Sequence, residues 1–112
     1  MSGDGEFEFI RRRLAPLAAS YPGAFDLGDD GAVLQVPEAH ELVVTTDTLI
    51  SGVHFLPDDP PESVAIKVIR ASVSDLTAMG AEPQAALLSI SWPPDAADDL
   101  RIRFVDGLAV EL

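Results

Sequence analysis

Three acidic positions stand at the ends of predicted elements rather than on solvated helix faces. Asp29 and Asp30 occupy a glycine-flanked turn, Gly28-Asp29-Asp30-Gly31. Asp47 follows the apolar pair Val43-Val44 and the hydroxyls of Thr45 and Thr46, and Asp75 sits on a predicted helix between Ser74 and Leu76. Carboxylates with nearby hydroxyls or carbonyls are the ligands a hard cation such as Mg²⁺ takes, and Mg²⁺ keeps waters and phosphate oxygens beside them. A partly open carboxylate cluster therefore suits a metal–nucleotide complex. Each position also has a plain structural explanation. Asp tolerates tight turns, and Thr-Thr-Asp-Thr at a strand end forms side-chain-to-backbone turns. Asp75 could flank the buried stripe of its helix, although helix interiors do not favour Asp. His54 is either a plain loop histidine or a functional one.

Other chemistries lack their residues. There is no Cys, which excludes disulfides and thiolate metal sites, and two histidines, His40 and His54, make a poor basis for zinc. Neither a phosphate-binding Gly-x-x-x-x-Gly-Lys loop, a Gly-x-Gly-x-x-Gly fingerprint nor a Gly-x-Ser-x-Gly elbow is present. Nineteen acids against seven bases give a net charge of -12, which argues against a nucleic-acid surface. The run Arg11-Arg12-Arg13 reads as a solvated helix face. No apolar stretch is long enough to span a membrane, and the acidic start is unlike a signal peptide. A cytoplasmic location is the default expectation.

Stepping from these residues to what must hold them, the periodicity predicts a helix over residues 6–18, with Phe7, Ile10, Leu14 and Leu17 on one side, Asp4 as its cap and Pro16 bending its last turn. Residues 32–36 and 42–46 read as two strands with a short connection, hence an antiparallel hairpin. A loop over residues 48–59 precedes a helix over 61–79, with Pro61 in its first turn, Gly80 past its end and a stripe of Val64, Val68, Ile69, Val73, Leu76 and Met79. Residues 85–92 read as a buried strand ended by Pro93-Pro94. From Asp95 onward, Leu100, Phe104 and Leu108 repeat every fourth residue, so a third helix is still running at Leu112. Such an end predicts a fragment of a longer protein. Residue chemistry alone leads to an α/β domain with a possible oxygen-ligand metal site.

Four segments carry the reading further: residues 5–10, Gly28-Asp29-Asp30-Gly31-Ala32-Val33-Leu34, residues 45–55 from Thr45-Thr46-Asp47 through Ser51-Gly52-Val53-His54-Phe55, and Val73-Ser74-Asp75-Leu76-Thr77-Ala78-Met79-Gly80-Ala81. In order and spacing they resemble the thiamine-monophosphate kinase family over residues 5–92. The Gly-Asp-Asp element is shared with the wider superfamily of aminoimidazole ribonucleotide synthetase; the histidine-containing segment sets this kinase apart. Gly31 and Ser72 depart from the family, which often has Ala and Asn there, and neither change removes a carboxylate.

The resemblance implies transfer of the γ-phosphoryl group of ATP to thiamine phosphate. It places Asp30, Thr45, Thr46, Asp47 and Asp75 at magnesium-ligand positions, with Asp29 a lesser candidate in the same motif. It places His54 at a position that contacts thiamine phosphate. It also implies a homodimer, no nucleic acid or membrane partner, and a later Gly-Gly-Asp-Thr segment beyond Leu112. The expected fold is α+β: a small, mainly antiparallel sheet with helices on one face, dimerising through the sheet. Residues 1–112 would be the amino-terminal ATP- and magnesium-binding domain of a two-domain kinase, inactive alone. The alternatives are another ATP-dependent member of the superfamily, or a metal-binding or dimerisation module without catalysis.

Overall fold

The structure, a computed structural model, describes residues 5–52, 54 and 56–112. The chain divides into two units: the first runs to Leu42 and takes in Leu112, and the second is Val43–Glu111.

The first unit winds through several helical pitches. Helix α1 is Glu6–Phe9; it continues as a π turn over Ile10–Leu14 and a 3₁₀ turn over Ala15–Ala18. The expected helix is thus in place, but its winding changes around Pro16. Pro16 has no N–H to give, and its ring crowds the carbonyl four residues back, so a regular α-helix cannot run through it. Ahead of it, the Ala15 N–H reaches the Ile10 carbonyl instead. Asp4, expected as the cap, lies outside the described residues, and Gly5 holds the cap position. Glu8 pairs with Arg11 Nη2 and Arg12 Nε, each at 2.5 Å, so two residues of the arginine run serve a local ion-pair cluster on the helix face. A second 3₁₀ segment, Pro22–Leu27, ends with Phe25, Asp26 and Leu27 in the left-handed region.

The second unit is built on two helices, α2 (Pro61–Ala78) and α3 (Asp98–Glu111). α2 begins where its sequence predicts, with Pro61 in the first turn, and ends one residue earlier, the chain turning away at Met79 and Gly80. α3 begins at Asp98, with Asp98 and Asp99 in its first turn, where carboxylates favour the helix dipole. Glu62 pairs with Arg103 at 2.6 Å and Arg70 with Glu111 at 3.0 Å. Eight residues further along each helix the pairing recurs, so α2 and α3 run in the same direction. Residues 79–97 return the chain along their length, and Trp92 packs edge-on against Phe104 on α3, with ring centroids 5.5 Å apart.

Ala65, Ile69, Val105 and Leu108 are the buried apolar side chains of this helix pair. Gly107 lets the helices close. A Cβ there would stand 2.5 Å from the Glu62 main-chain oxygen and 2.9 Å from Ala65 Cβ. The expected α2 stripe is only partly correct: Ile69 is buried, whereas Met79 is 70% exposed. On α3 the buried face is Arg101, Val105 and Leu108, offset from the expected repeat of Leu100, Phe104 and Leu108.

The expected α+β sheet is overturned. No β-strand occurs among the described residues, and 32–36, 42–46 and 85–92 are irregular. The Val33 N–H is spent on the Gly23 carbonyl at 2.8 Å rather than on a hairpin partner, and the boundary between units falls inside the expected second strand. β-branched residues favour a strand through packing on neighbours. Here Val33, Val36, Val44 and Leu87 are exposed, so that gain is missing.

Candidate metal and phosphate site

The second unit holds five of the seven residues singled out by the sequence, Thr45, Thr46, Asp47, His54 and Asp75. Asp47 leaves the irregular segment before α2, and its Oδ2 accepts a hydrogen bond from Ser72 Oγ on α2 at 3.4 Å. Ser72 and Asp75 are three residues apart on that helix and so are neighbours on its surface. The fold therefore brings Asp47 beside the helix face that bears Asp75. Both aspartates are exposed, as ligands of a cation that retains water and binds phosphate must be. At 3.4 Å the Ser72 contact is long for a hydroxyl–carboxylate bond, which leaves the Asp47 carboxylate available to a stronger partner. Thr46 is exposed and Thr45 half-buried just before it, adding hydroxyl oxygens to the same stretch.

Asp30 lies in the first unit, exposed, with its N–H donating to Asp29 Oδ1 at 2.8 Å. The Asp29 side chain is thus engaged with the main chain of its own turn. Among the described residues no three acidic or histidine side chains converge as a metal-holding group. The donor chemistry of Asp47, Asp75, Thr45 and Thr46 is nonetheless that of a hard cation.

His54 is held by three bonds. Its main-chain N–H donates to the Ile50 carbonyl at 2.9 Å, and its ring Nδ1 accepts from the Ile50 N–H at 2.9 Å. Its carbonyl accepts from the Lys67 ammonium on α2. Gly52, with φ +81°, gives the turn a conformation that other residues rarely adopt. Just beyond, Asp59 Oδ2 accepts from the Leu56 N–H at 2.8 Å. Val53 and Phe55, part of the same motif, lie outside the described residues. Sequence reasoning missed both Ser72 and Lys67 as supports of the site. Their places on the exposed margin of α2 were readable, but the loops they reach were not.

Several other charged groups pair within the scaffold. The Glu62 carboxyl is held below the usual carboxylate range by the hydrogen bond from Arg103, which outweighs the opposing cost of desolvation. The same pair raises Arg103. Glu8 is lowered likewise by its hydrogen bond from Arg11. Arg101 is 7% exposed; its Nη1 reaches Asp98 at 3.3 Å, while its Nε is buried without a partner among the described residues. No described helix is long and apolar enough to cross a membrane.

The class of domain is shown by comparison with known proteins. Residues 28–111 match the AIR synthase related protein, N-terminal domain, and the chain belongs to that family. It is similar to the thiamine-monophosphate kinase of Caulobacter vibrioides, 42% identical over 104 residues, covering 93% of this chain and 30% of that protein. The thiamine-monophosphate kinases of Haemophilus influenzae and Escherichia coli K12 are 39% and 41% identical over 90 residues, covering 80% of this chain and 27% and 28% of theirs. The chain thus spans less than a third of the length of these relatives. No solved structure matches it.

Proposed function

We propose that this chain acts as the amino-terminal, ATP- and magnesium-binding domain of an enzyme that phosphorylates thiamine phosphate to thiamine diphosphate. The observation that carries the reading is its 42% identity to a thiamine-monophosphate kinase over 93% of its length. The placement of Asp47 beside the face of Asp75, through Ser72, supports it.

Two phosphates of like charge must meet in such a reaction. Carboxylate and hydroxyl oxygens of this chain would hold Mg²⁺, which would supply charge compensation, and positioning and charge compensation account for most of the rate in such transfers. In this reading Asp47, Asp75, Thr45 and Thr46 supply oxygen ligands and His54 contacts the thiamine phosphate; Asp30, in the first unit, is a metal-ligand candidate of its own turn. No strong general base is needed, because the attacking phosphate oxygen is already ionised at neutral pH. The net charge of -12 is compatible with phosphate substrates on these terms: carboxylates bind metal, and metal binds phosphate. We assign the enzyme to the cytoplasm as a homodimer, in which a second copy covers exposed apolar side chains such as Val44 and Leu87.

The test is to incubate the full-length protein with ATP, Mg²⁺ and thiamine phosphate and measure thiamine diphosphate. Production matched by ADP release supports the assignment; ATP turnover on another acceptor with none on thiamine phosphate refutes it. The 112-residue chain alone should form little or no product.

A further inference from the structure

The bonds around His54 define the state of its ring as well as its place. An Nδ1 that accepts from the Ile50 N–H carries no proton, so the neutral imidazole has its proton on Nε2. The other histidine is the reverse case. His40 Nδ1 lies 2.9 Å from the Glu38 carbonyl oxygen, which can only accept, so its proton is on Nδ1. One chain thus holds both tautomers, each set by a main-chain partner.

Besides its two bonds to Ile50, residue 54 has a tie to a regular element. Lys67 is exposed on α2, where a lysine ordinarily extends into water, yet its ammonium bonds a main-chain carbonyl thirteen residues away. That carbonyl belongs to His54, the residue whose N–H and ring close the turn onto Ile50. Helix, turn and ring form one connected chain of bonds.

We propose that Lys67 is a positioning residue: it latches the 50–54 turn to α2 and so holds His54 as the Nε2–H tautomer, a directed donor for an acceptor such as a phosphate oxygen. The relevance of the latch to phosphoryl transfer rests on the reading of His54 as a contact to thiamine phosphate; the latch itself does not.

The experiment is a long-range ¹H–¹⁵N correlation through the imidazole rings of the ¹⁵N-labelled chain, run without ATP, metal or substrate. Wild type should give one Nδ1–H ring, His40, and one Nε2–H ring, His54, assigned with His40→Gln. In Lys67→Met, which keeps the helix propensity of α2, the separated ring ¹⁵N shifts of His54 should collapse toward a tautomer average while those of His40 stay. Lys67→Arg, still able to donate to the carbonyl, should restore the wild-type pattern. A wild-type His54 that is not the Nε2–H form overturns the proposal before any variant is made. So does a Lys67→Met spectrum in which His54 keeps its full tautomer separation. In the full-length enzyme Lys67→Met should raise KM for thiamine phosphate more than it lowers kcat. If the kinase reading fails, that kinetic effect is lost but the ring spectra still report on the latch.

Discussion

Ser72 Oγ donates to Asp47 Oδ2 at 3.4 Å, and this one contact ties an irregular segment to the helix that carries Asp75 three residues later. It is a placing contact rather than a strong bond, since hydroxyl–carboxylate bonds are usually well under 3.1 Å. The carboxylates and the serine should therefore respond very differently to mutation. On the proposed function, Asp47→Ala or Asp75→Asn in the full-length protein should lower kcat about 100-fold or more, the scale of losing an electrostatic stabiliser of the transition state. Ser72→Ala should cost only about two- to tenfold, from a net hydrogen-bond contribution of about 0.5–1.5 kcal/mol. Circular dichroism should be unchanged in all three. Full activity in Asp47→Ala would remove its assigned role.

The helices were legible in the sequence, and the sheet was not, for a physical reason. Pro61, the spaced apolar residues and Gly80 act locally, so α2 could be bounded within a residue or two. Strand formation depends on a partner that sequence does not name. The runs at residues 32–36 and 42–46 have β-forming composition, yet Val33 bonds Gly23 and the apolar side chains stay exposed. The face of α3 was misjudged because Arg101 is buried in it; a hydrophobicity count sees the charge of arginine, not its apolar stem. The acids could be named from their motifs. Their supports, Ser72 for Asp47 and Lys67 for His54, bridge 25 and 13 residues and leave no periodic trace.

Acid should weaken the α2–α3 pair through Glu62. Its carboxyl is lowered in the folded chain from an ordinary 4.5, first by the Arg103 hydrogen bond. A depressed carboxyl contributes stability above its unfolded-state value and loses it as pH falls through the folded-state value. Glu62→Gln should therefore melt below wild type at pH 7, and the difference should shrink from about pH 4.5 downward and vanish in stronger acid. Both partners are partly exposed, so added salt should reduce the difference too. A gap in melting temperature that is the same at pH 7 and pH 3 would mean the ion pair is not its source.

The turn that carries His54 should be sensitive at Gly52. Its φ of +81° is strained for any residue with a Cβ, although no atom lies within 4 Å of where that Cβ would go. The penalty is then conformational rather than steric, about 1–2 kcal/mol. In Gly52→Ala, amide exchange at His54 should accelerate about 5- to 30-fold, while Leu108 in the buried helix contact keeps its protection. Unchanged exchange at His54 would show that the turn does not depend on this conformation.

Gly107 should be the least replaceable small residue of the helix pair. Alanine is the better helix former by about 1 kcal/mol, so on helix propensity alone Gly107→Ala would stabilise the chain. Packing decides the other way. The new Cβ would stand 2.5 Å from the Glu62 carbonyl oxygen and 2.8 Å from Glu62 Cα, and these are backbone atoms that cannot rotate aside. The helices would have to part, loosening Ala65, Ile69, Val105 and Leu108 together, at a cost of about 1–3 kcal/mol for overpacking. Splaying would also stretch the Glu62–Arg103 pair, now at 2.6 Å, which sits one turn of α3 away. The net expectation is a lower urea midpoint for Gly107→Ala, partly restored by Ala65→Gly, which removes the third close contact at 2.9 Å. A raised midpoint in Gly107→Ala would mean that the helices do not approach at this residue.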